Sequence, residues 1–310
     1  HRIIGALGGN RAADAFRKTV SGDPTGAPQW SQQMAIGNDV GLFGPGSAVW
    51  EVHGSISTLV GGIRALLMQA AHPAALTGVA EHSQYDTDPL GRLERTTRWL
   101  TITSFGSTEA IAREAQRVNE IHKRVSGDFQ DKSGHQSQYS AADPRYLLWV
   151  HCAFTDSFLT THELYGAEDI PGGPDEYVSQ WSKSVAPLGL TNAPMSRAEL
   201  KREIKRYRDE GILASSETTK RVVEFIRKPP LSKTALLAYD RMFDGAVASI
   251  PPEFQEMLGL KGRSLNIAGP ITRGILTSLR MALGPASPME EAAIARLIRI
   301  GELPKDYSVS

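Results

Sequence analysis

Three histidines on two predicted helices are the residues of this sequence whose type and spacing could bind a metal. His122 shares one helical face with the apolar residues Ile111, Ala115 and Val118. The charged residues of that segment fall on the other sides, so one imidazole is turned inward. A buried polar group without a partner costs about 1–3 kcal/mol, and a metal ion is one partner that an imidazole can have.

A second helix carries two more histidines on its inward face. It is opened by Asp143-Pro144, and His151 and His162 follow Leu147 in steps of three and four along the apolar stripe. A single inward histidine is more often a core residue bonded to a carbonyl or hydroxyl than a metal ligand. Three inward histidines on two helices favour a metal or a metal-containing cofactor.

The helix before His122 offers cationic and hydroxyl groups to the same region. Asp88-Pro89 predicts its start and Gly106 its end, near Phe105. The helix that carries His122 is then expected to run from about Ser107 to Gly127.

On the first of these two helices, Arg92, Arg95 and Thr96 share one side, and residues four apart are neighbours. Such a face is usually only solvated. Because the next helix turns a histidine inward, a guanidinium that binds an anionic cofactor group is a second interpretation.

Composition excludes several classes of protein. The 310 residues contain 34 Lys and Arg against 34 Asp and Glu, and this zero net charge argues against a general nucleic-acid binder. One cysteine, Cys152, allows neither a disulfide framework nor a covalent Cys-x-x-Cys-His haem attachment. No apolar run reaches the roughly 18 residues of a membrane helix, so the default expectation is a cytoplasmic location.

The pattern along the chain predicts an all-α, globular multi-helix bundle. Residues 1–47, rich in glycine and proline, are expected to form an irregular arm with one helix near 11–20. Helical patterns fill residues 48–250, with a break or close helix contact at Gly61-Gly62, and residues 251–310 should add helices packed on the same domain. No segment shows the period-two alternation of a half-buried strand.

The commonest enzyme signatures are missing from the sequence. There is no Glu-x-x-His pair of a di-iron bundle, no His-Glu-x-x-His zinc helix, no Gly-x-Ser-x-Gly elbow and no Gly-x-Gly-x-x-Gly loop. A helical protein with inward histidines and a candidate arginine remains. That combination suits a haem held without covalent attachment.

A series of short motifs in fixed order resembles the rubber oxygenase family, which groups latex clearing protein with the oxygenase of the mycophenolic acid pathway. The motifs are HP at 72–73, EHSQY at 81–85, DPLGRLERT at 88–96, FG at 105–106, HKRVSG at 122–127 and YSAADPRYLLWVH at 139–151. The resemblance covers about residues 48–250. It implies an all-α protein that holds haem b and uses dioxygen to cleave carbon–carbon double bonds of isoprenoid chains.

The resemblance also implies roles for particular residues. The axial histidine of the family follows an Arg-x-x-x-Thr pair, which matches His122 after Arg92 and Thr96. Latex clearing proteins have a distal lysine directly before that threonine, whereas this chain has Arg95. Arginine stays protonated and does not ligate iron as a neutral lysine can. The resemblance therefore implies neither the same distal chemistry nor a rubber substrate for this chain.

The sequence therefore predicts a haem b-dependent oxygenase domain at residues 48–250, acting with dioxygen on an apolar, isoprenoid or other alkene-containing molecule. His122 is the predicted iron ligand, Arg92, Arg95 and Thr96 the predicted catalytic residues, and Arg92, Thr96 and His151 further haem-binding residues. Two alternatives stay open: a haem-binding sensor or carrier without turnover, and a non-haem iron enzyme that uses His122, His151 and His162.

Overall fold

The protein is built from helices, with a single small hairpin among the described residues. The computed structural model describes residues 28–76, 89–130 and 136–307, without the side chains of residues 89–94, 130 and 234. The main helices are α1 (Ala48–Gly54), α2 (Thr58–Gln69), α3 (Pro89–Phe105), α4 (Thr108–His122), α5 (Pro144–Tyr165), α6 (Gly173–Ser182), α7 (Arg197–Asp209), α8 (Glu217–Arg227), α9 (Lys233–Ser249), α10 (Pro252–Met257), α11 (Leu265–Leu283) and α12 (Pro288–Ile300). Short 3-10 helices span Gln29–Ala35 and Lys183–Leu188. The predicted all-α fold is confirmed.

The hairpin changes the predicted end of α4. Strands β1 (Ser126–Gln130) and β2 (Gln136–Ser140) pair antiparallel, with Ser126 opposite Ser140. The helix therefore ends at His122, and its predicted extension to Gly127 is wrong. The Val125 carbonyl, directly before the hairpin, accepts a hydrogen bond from the Ala141 amide, directly after it (2.9 Å).

Helices α2 and α5 form the centre of the main hydrophobic core. The face of α2 that contains Val60, Ile63 and Leu67 is buried, and α5 contributes Trp149 and Phe158 to the same cluster. The predicted break at Gly61-Gly62 is wrong, because the chain leaves the helix earlier, between α1 and α2. The alternative interpretation, a close helix contact, is confirmed for Gly61 but not for Gly62.

Gly61 lets α2 approach α5 closely. A Cβ atom at this position would lie 2.6 Å from the Phe158 ring and 2.8 Å from Thr161 Oγ1. Gly61→Ala is therefore expected to lower the free energy of unfolding by about 1–3 kcal/mol, because α2 and α5 cannot move apart without losing packing contacts. Gly62→Ala is the matched control, since a Cβ there would meet no atom within 4 Å. It should be neutral or gain up to about 1 kcal/mol from helix propensity. Urea unfolding of both variants makes the comparison, and equal effects would contradict the close contact.

The C-terminal helix α12 anchors the end of α3. The buried side chain of Arg296 donates to the Phe105 carbonyl, the last of α3 (2.9 Å), and to the Met34 carbonyl (2.7 Å). It thus satisfies an orphan carbonyl of the helix end and places a cation at the negative end of the helix dipole. This contact helps to fix the helix that carries Arg95 and Thr96.

None of the helices in the described ranges is long and apolar enough to cross a membrane.

Candidate functional site

A cavity of about 580 Å³ lies between α3, α4, α5 and the 3-10 helix at Lys183–Leu188. This volume is typical of sites for small molecules and cofactors. Its apolar and aromatic lining residues are Ala75, Trp99, Leu100, Val118, Ile121, Val125, Tyr139, Ala141, Tyr146, Leu147, Val150, Phe154, Trp181, Val185 and Leu188. The few polar lining residues are Gln69, Arg95, Thr96, Arg117, His122, His151 and Ser184. The structure therefore brings four sequence-predicted residues, Arg95, Thr96, His122 and His151, to one cavity.

His122 is the last residue of α4 and lies half-buried on the cavity wall. Its ring has no hydrogen-bond partner among the residues that the structure describes. Burial lowers the pKa of His122 below the usual 6.5, which favours the neutral imidazole at neutral pH. A neutral ring with an unused nitrogen lone pair is the form of histidine that binds a metal.

His151 lies on α5, lines the cavity and is only 4% exposed. Burial lowers its pKa to about 4, so this imidazole is neutral as well. Its Nε2 lies 3.5 Å from Thr155 Oγ1, at the limit of a hydrogen bond, and that hydroxyl already donates to the His151 carbonyl (2.7 Å). The cavity thus contains two neutral imidazoles.

Glu114 is a site residue that the sequence analysis missed, because it was assigned to the solvent side of α4. Its carboxylate is 1% exposed and accepts from Arg98 Nε (2.9 Å) and Arg117 Nε (3.0 Å). Two guanidinium groups therefore share one buried carboxylate, which leaves one net positive charge beside the cavity. The signal available in the sequence was the three-residue spacing of Glu114 and Arg117.

Arg95 also lines the cavity, and no carboxylate lines it in the described part of the chain. Arg95 is exposed although it lines the cavity, so it lies where the cavity opens to solvent. The electrostatics of the site favour a ligand with an apolar body and an anionic group. Arg92 lies one turn before Thr96 on α3, and its side chain falls outside the described residues.

His162 and His72 lie outside the cavity. His162 is buried, but its Nε2 is bonded to the Glu168 carbonyl (2.9 Å). His72 is buried against the rings of Tyr146, Trp149 and Tyr207. In the described ranges no group of three histidine, cysteine or acidic side chains could hold a metal ion. The proposed non-haem site of His122, His151 and His162 is therefore not formed by these residues.

A chain of hydrogen bonds behind the cavity connects α3 to its neighbours. Ser104 donates its hydroxyl hydrogen to the Leu100 carbonyl (2.7 Å), so its oxygen accepts from His53 Nδ1 (2.6 Å). The other ring nitrogen of His53 then accepts from the Tyr177 hydroxyl (3.0 Å). Burial lowers the pKa of His53 to about 3, in agreement with a neutral ring that has one donor and one acceptor nitrogen. The chain fixes the position of α3 relative to α1 and α6.

Comparison with known proteins identifies one family. The family described as "ER-bound oxygenase mpaB/B'/Rubber oxygenase, catalytic domain" matches residues 50–297. The matched range includes every cavity-lining residue and extends past residue 250, where the motif resemblance ended. No curated protein and no solved structure matches the chain.

Proposed function

This chain belongs to the mpaB and rubber oxygenase family, and from that premise we propose that it is a haem b-dependent oxygenase acting on an apolar alkene. The family is one of oxygenases, and the chain is an enzyme of that class. The cofactor and the substrate class are our proposal. The observation that carries it is the neutral, unpartnered imidazole of His122 on the wall of a large apolar cavity.

The cavity residues fit the chemistry of haem b. Haem requires an axial nitrogen or sulfur ligand, apolar surfaces for the macrocycle and cations for its two carboxylates. His122 offers the nitrogen, the aromatic and aliphatic walls offer the surfaces, and Arg95 and Arg117 offer guanidinium groups. Bound haem would supply the iron that activates dioxygen, while the protein sets the ligand, the polarity and the access.

The chain's own residues have separate tasks in this proposal. His122 would hold the cofactor, and burial keeps its imidazole neutral for that purpose. Thr96 and Arg92, one turn apart on α3, would position the cofactor or dioxygen. The apolar walls would bind the alkene and exclude water, which protects reactive species from hydrolysis. Cleavage of one carbon–carbon double bond by one dioxygen molecule gives two carbonyl products and requires no other oxidant.

His151 is the second imidazole of the cavity, and in this proposal it helps to bind the haem. Because its pKa is lowered to about 4, it can donate or accept a hydrogen bond without carrying charge. A neutral group of this kind adds polarity without charge to a mostly apolar wall.

An absorption spectrum of the purified protein tests the cofactor, with haemin added if the protein is isolated without it. We expect a Soret band that saturates at one haem per chain. Oxygen uptake and carbonyl products with an isoprenoid alkene then test the reaction. A Soret band without oxygen uptake on any apolar alkene would favour a sensor or carrier. The absence of any spectral change on haemin addition would refute the cofactor assignment.

Arg95→Gln is expected to weaken haem binding by no more than about fivefold, because an exposed ion pair contributes about 0.2–1 kcal/mol. Arg95 lines the cavity yet is exposed, so its charge is screened by water and salt. Arg124→Gln removes an exposed arginine that does not line the cavity, and it should leave haem affinity unchanged. Haemin titrations of both variants at low and high salt make the measurement. A loss of a hundredfold would instead mean that the Arg95 guanidinium binds the haem in a buried environment.

A further inference from the structure

Glu114 connects α3 to α4 through two arginines, of which only one lines the cavity. Arg117 follows Glu114 by one turn of α4 and lines the cavity, whereas Arg98 lies on α3 and does not line it. The Glu114 carboxylate accepts from Arg98 Nε (2.9 Å) and, with both oxygens, from Arg117 Nε (3.0 Å each). Because this carboxylate is almost fully withdrawn from water, its charge has to be balanced by these two neighbours.

The bonds to Glu114 fix the orientation of the Arg117 guanidinium. Glu114 accepts from Nε and Nη2, two nitrogens on one edge of this planar group. The Nη1 nitrogen of Arg117 has no acceptor among the described residues. A guanidinium that is held along one edge presents its remaining donors in a fixed direction, and its fork of N–H groups matches the oxygens of a carboxylate.

Arg98 keeps the charge of Arg117 available to a ligand. Glu114 and Arg117 alone would form a neutral pair. Because Arg98 donates to the same carboxylate, the three groups together carry one net positive charge. Only 25% of the Arg98 side chain and 30% of the Arg117 side chain are exposed, so this charge is screened less than it would be at a fully exposed position.

We propose that Arg117 binds the anionic group of the cavity's ligand, a carboxylate on an apolar body, and that Glu114 and Arg98 are positioning residues for Arg117. Arg117 lies five residues before His122, about 7.5 Å along the axis of α4, so the two side chains can contact different parts of one ligand. The inference rests on the proposed function for the identity of that ligand, since the carboxylate can belong to haem or to the apolar substrate.

A pair of fluorescent probes tests the anion site without haem. Anilinonaphthalene sulfonate and phenylnaphthylamine share one apolar body, and only the sulfonate carries a negative charge. We expect Arg117→Gln to weaken binding of the sulfonate about tenfold and to leave the neutral probe unchanged, because only the sulfonate loses a charge-assisted hydrogen bond. Arg98→Gln should weaken binding of the sulfonate about threefold, although Arg98 does not line the cavity. It should have no further effect once Arg117 is replaced, because it acts through Arg117.

Glu114→Gln separates orientation from charge. The variant gains net positive charge, which by itself would strengthen binding of the sulfonate. We expect binding about threefold weaker instead, because Arg117 loses the carboxylate that orients its guanidinium. Stronger binding would overturn the positioning role of Glu114. Circular dichroism establishes that the variant is folded, and if it is not, Arg98→Gln and Arg117→Gln still decide the proposal.

Arg113→Gln is the matched control. Arg113 lies one turn before Arg117 on α4, is paired with Glu109 and does not line the cavity. The control should bind both probes like the unaltered chain. The proposal is overturned by an equal loss of sulfonate binding in this control, by an equal loss of both probes in Arg117→Gln, or by unchanged sulfonate binding in Arg117→Gln.

Haemin and its dimethyl ester then identify the source of the carboxylate, since the ester has the same macrocycle without its negative charges. A loss in Arg117→Gln for haemin but not for the ester assigns the site to the carboxylate of haem. No loss for either, together with weaker binding of the sulfonate, assigns it to the substrate, and an equal loss for both overturns the anion site. If neither changes its absorption spectrum with the unaltered chain, the haem proposal fails while the results with the fluorescent probes still stand.

Discussion

His122→Ala is expected to abolish haem retention while leaving a folded helical protein. His122 is the last residue of α4 and lines the cavity. Burial lowers the pKa of its imidazole, which favours the neutral ring, and no described residue hydrogen-bonds to that ring. Removal of residues that only support a metal ligand costs 10- to 100-fold in affinity, so removal of the ligand should cost more than about 100-fold. The apolar walls would remain and could hold haemin only weakly.

The measurement is a haemin titration followed at the Soret band, with circular dichroism to establish that the variant is folded. His122 is half-buried and has no hydrogen-bond partner among the described residues, so its removal should change stability little. His162→Ala is the control, since His162 is buried outside the cavity and bonded to the Glu168 carbonyl. A His122→Ala variant with an unchanged spectrum would show that another residue ligates the iron, and His151 would be tested next.

Local signals predicted α3 and α5 well. Pro89 and Gly106 mark the two ends of α3, and Asp143-Pro144 marks the start of α5, whose Asp143 side chain accepts from the Arg145 amide (2.9 Å). These signals act within one helical turn, so they can be read from neighbouring residues alone. The boundaries that they set are those of the structure.

The end of α4 could not be read in the same way. Strand β1 has the sequence SGDFQ, which shows neither alternation nor β-branched residues. Its structure comes from pairing with β2, and no local signal in the sequence predicts that pairing. The sequence pattern therefore predicts a helix that continues to Gly127.

Helical periodicity also predicted which side of α5 the histidines occupy, but not how far apart they lie along the helix axis. His151 and His162 are eleven residues apart, so they share one side of α5 but are separated by about 16 Å along its axis. One metal ion cannot bind both. The cavity reaches His151 near the start of the helix, whereas His162 lies near its end and bonds to the following loop. The same limit applies to Glu114, whose partner Arg98 lies on another helix.

Acidification from pH 7 to pH 5 is expected to remove about 6 kcal/mol from the free energy of unfolding of the haem-free protein. Burial lowers the pKa of His53 to about 3 and those of His72 and His151 to about 4, from an ordinary value of 6.5. In the unfolded chain all three regain that ordinary value and bind protons below pH 6.5. Each histidine therefore favours unfolding by about 2 kcal/mol at pH 5 relative to pH 7.

The sign follows from where the protons bind. A histidine with a lowered pKa contributes stability that is fully present above pH 6.5 and is lost as the pH falls towards the folded value. Burial raises the pKa of Glu51 and Glu290, and these two carboxyl groups oppose the trend because they bind protons more readily when folded. Three histidines act against these two carboxyl groups, so we expect the net stability to fall between pH 6.5 and pH 5.

Urea unfolding at pH 8, 7 and 5 checks this expectation, with little change between pH 8 and pH 7. His72→Phe isolates one of the three contributions, because His72 lies among three aromatic rings and its Nδ1 has no partner in the described structure. A phenyl ring fits that environment and does not titrate. The variant should lose about 2 kcal/mol less than the unaltered chain between pH 7 and pH 5. Equal losses in both proteins would mean that His72 is protonated in the folded state at pH 5, and a constant stability in the unaltered chain would refute the assignment for all three histidines.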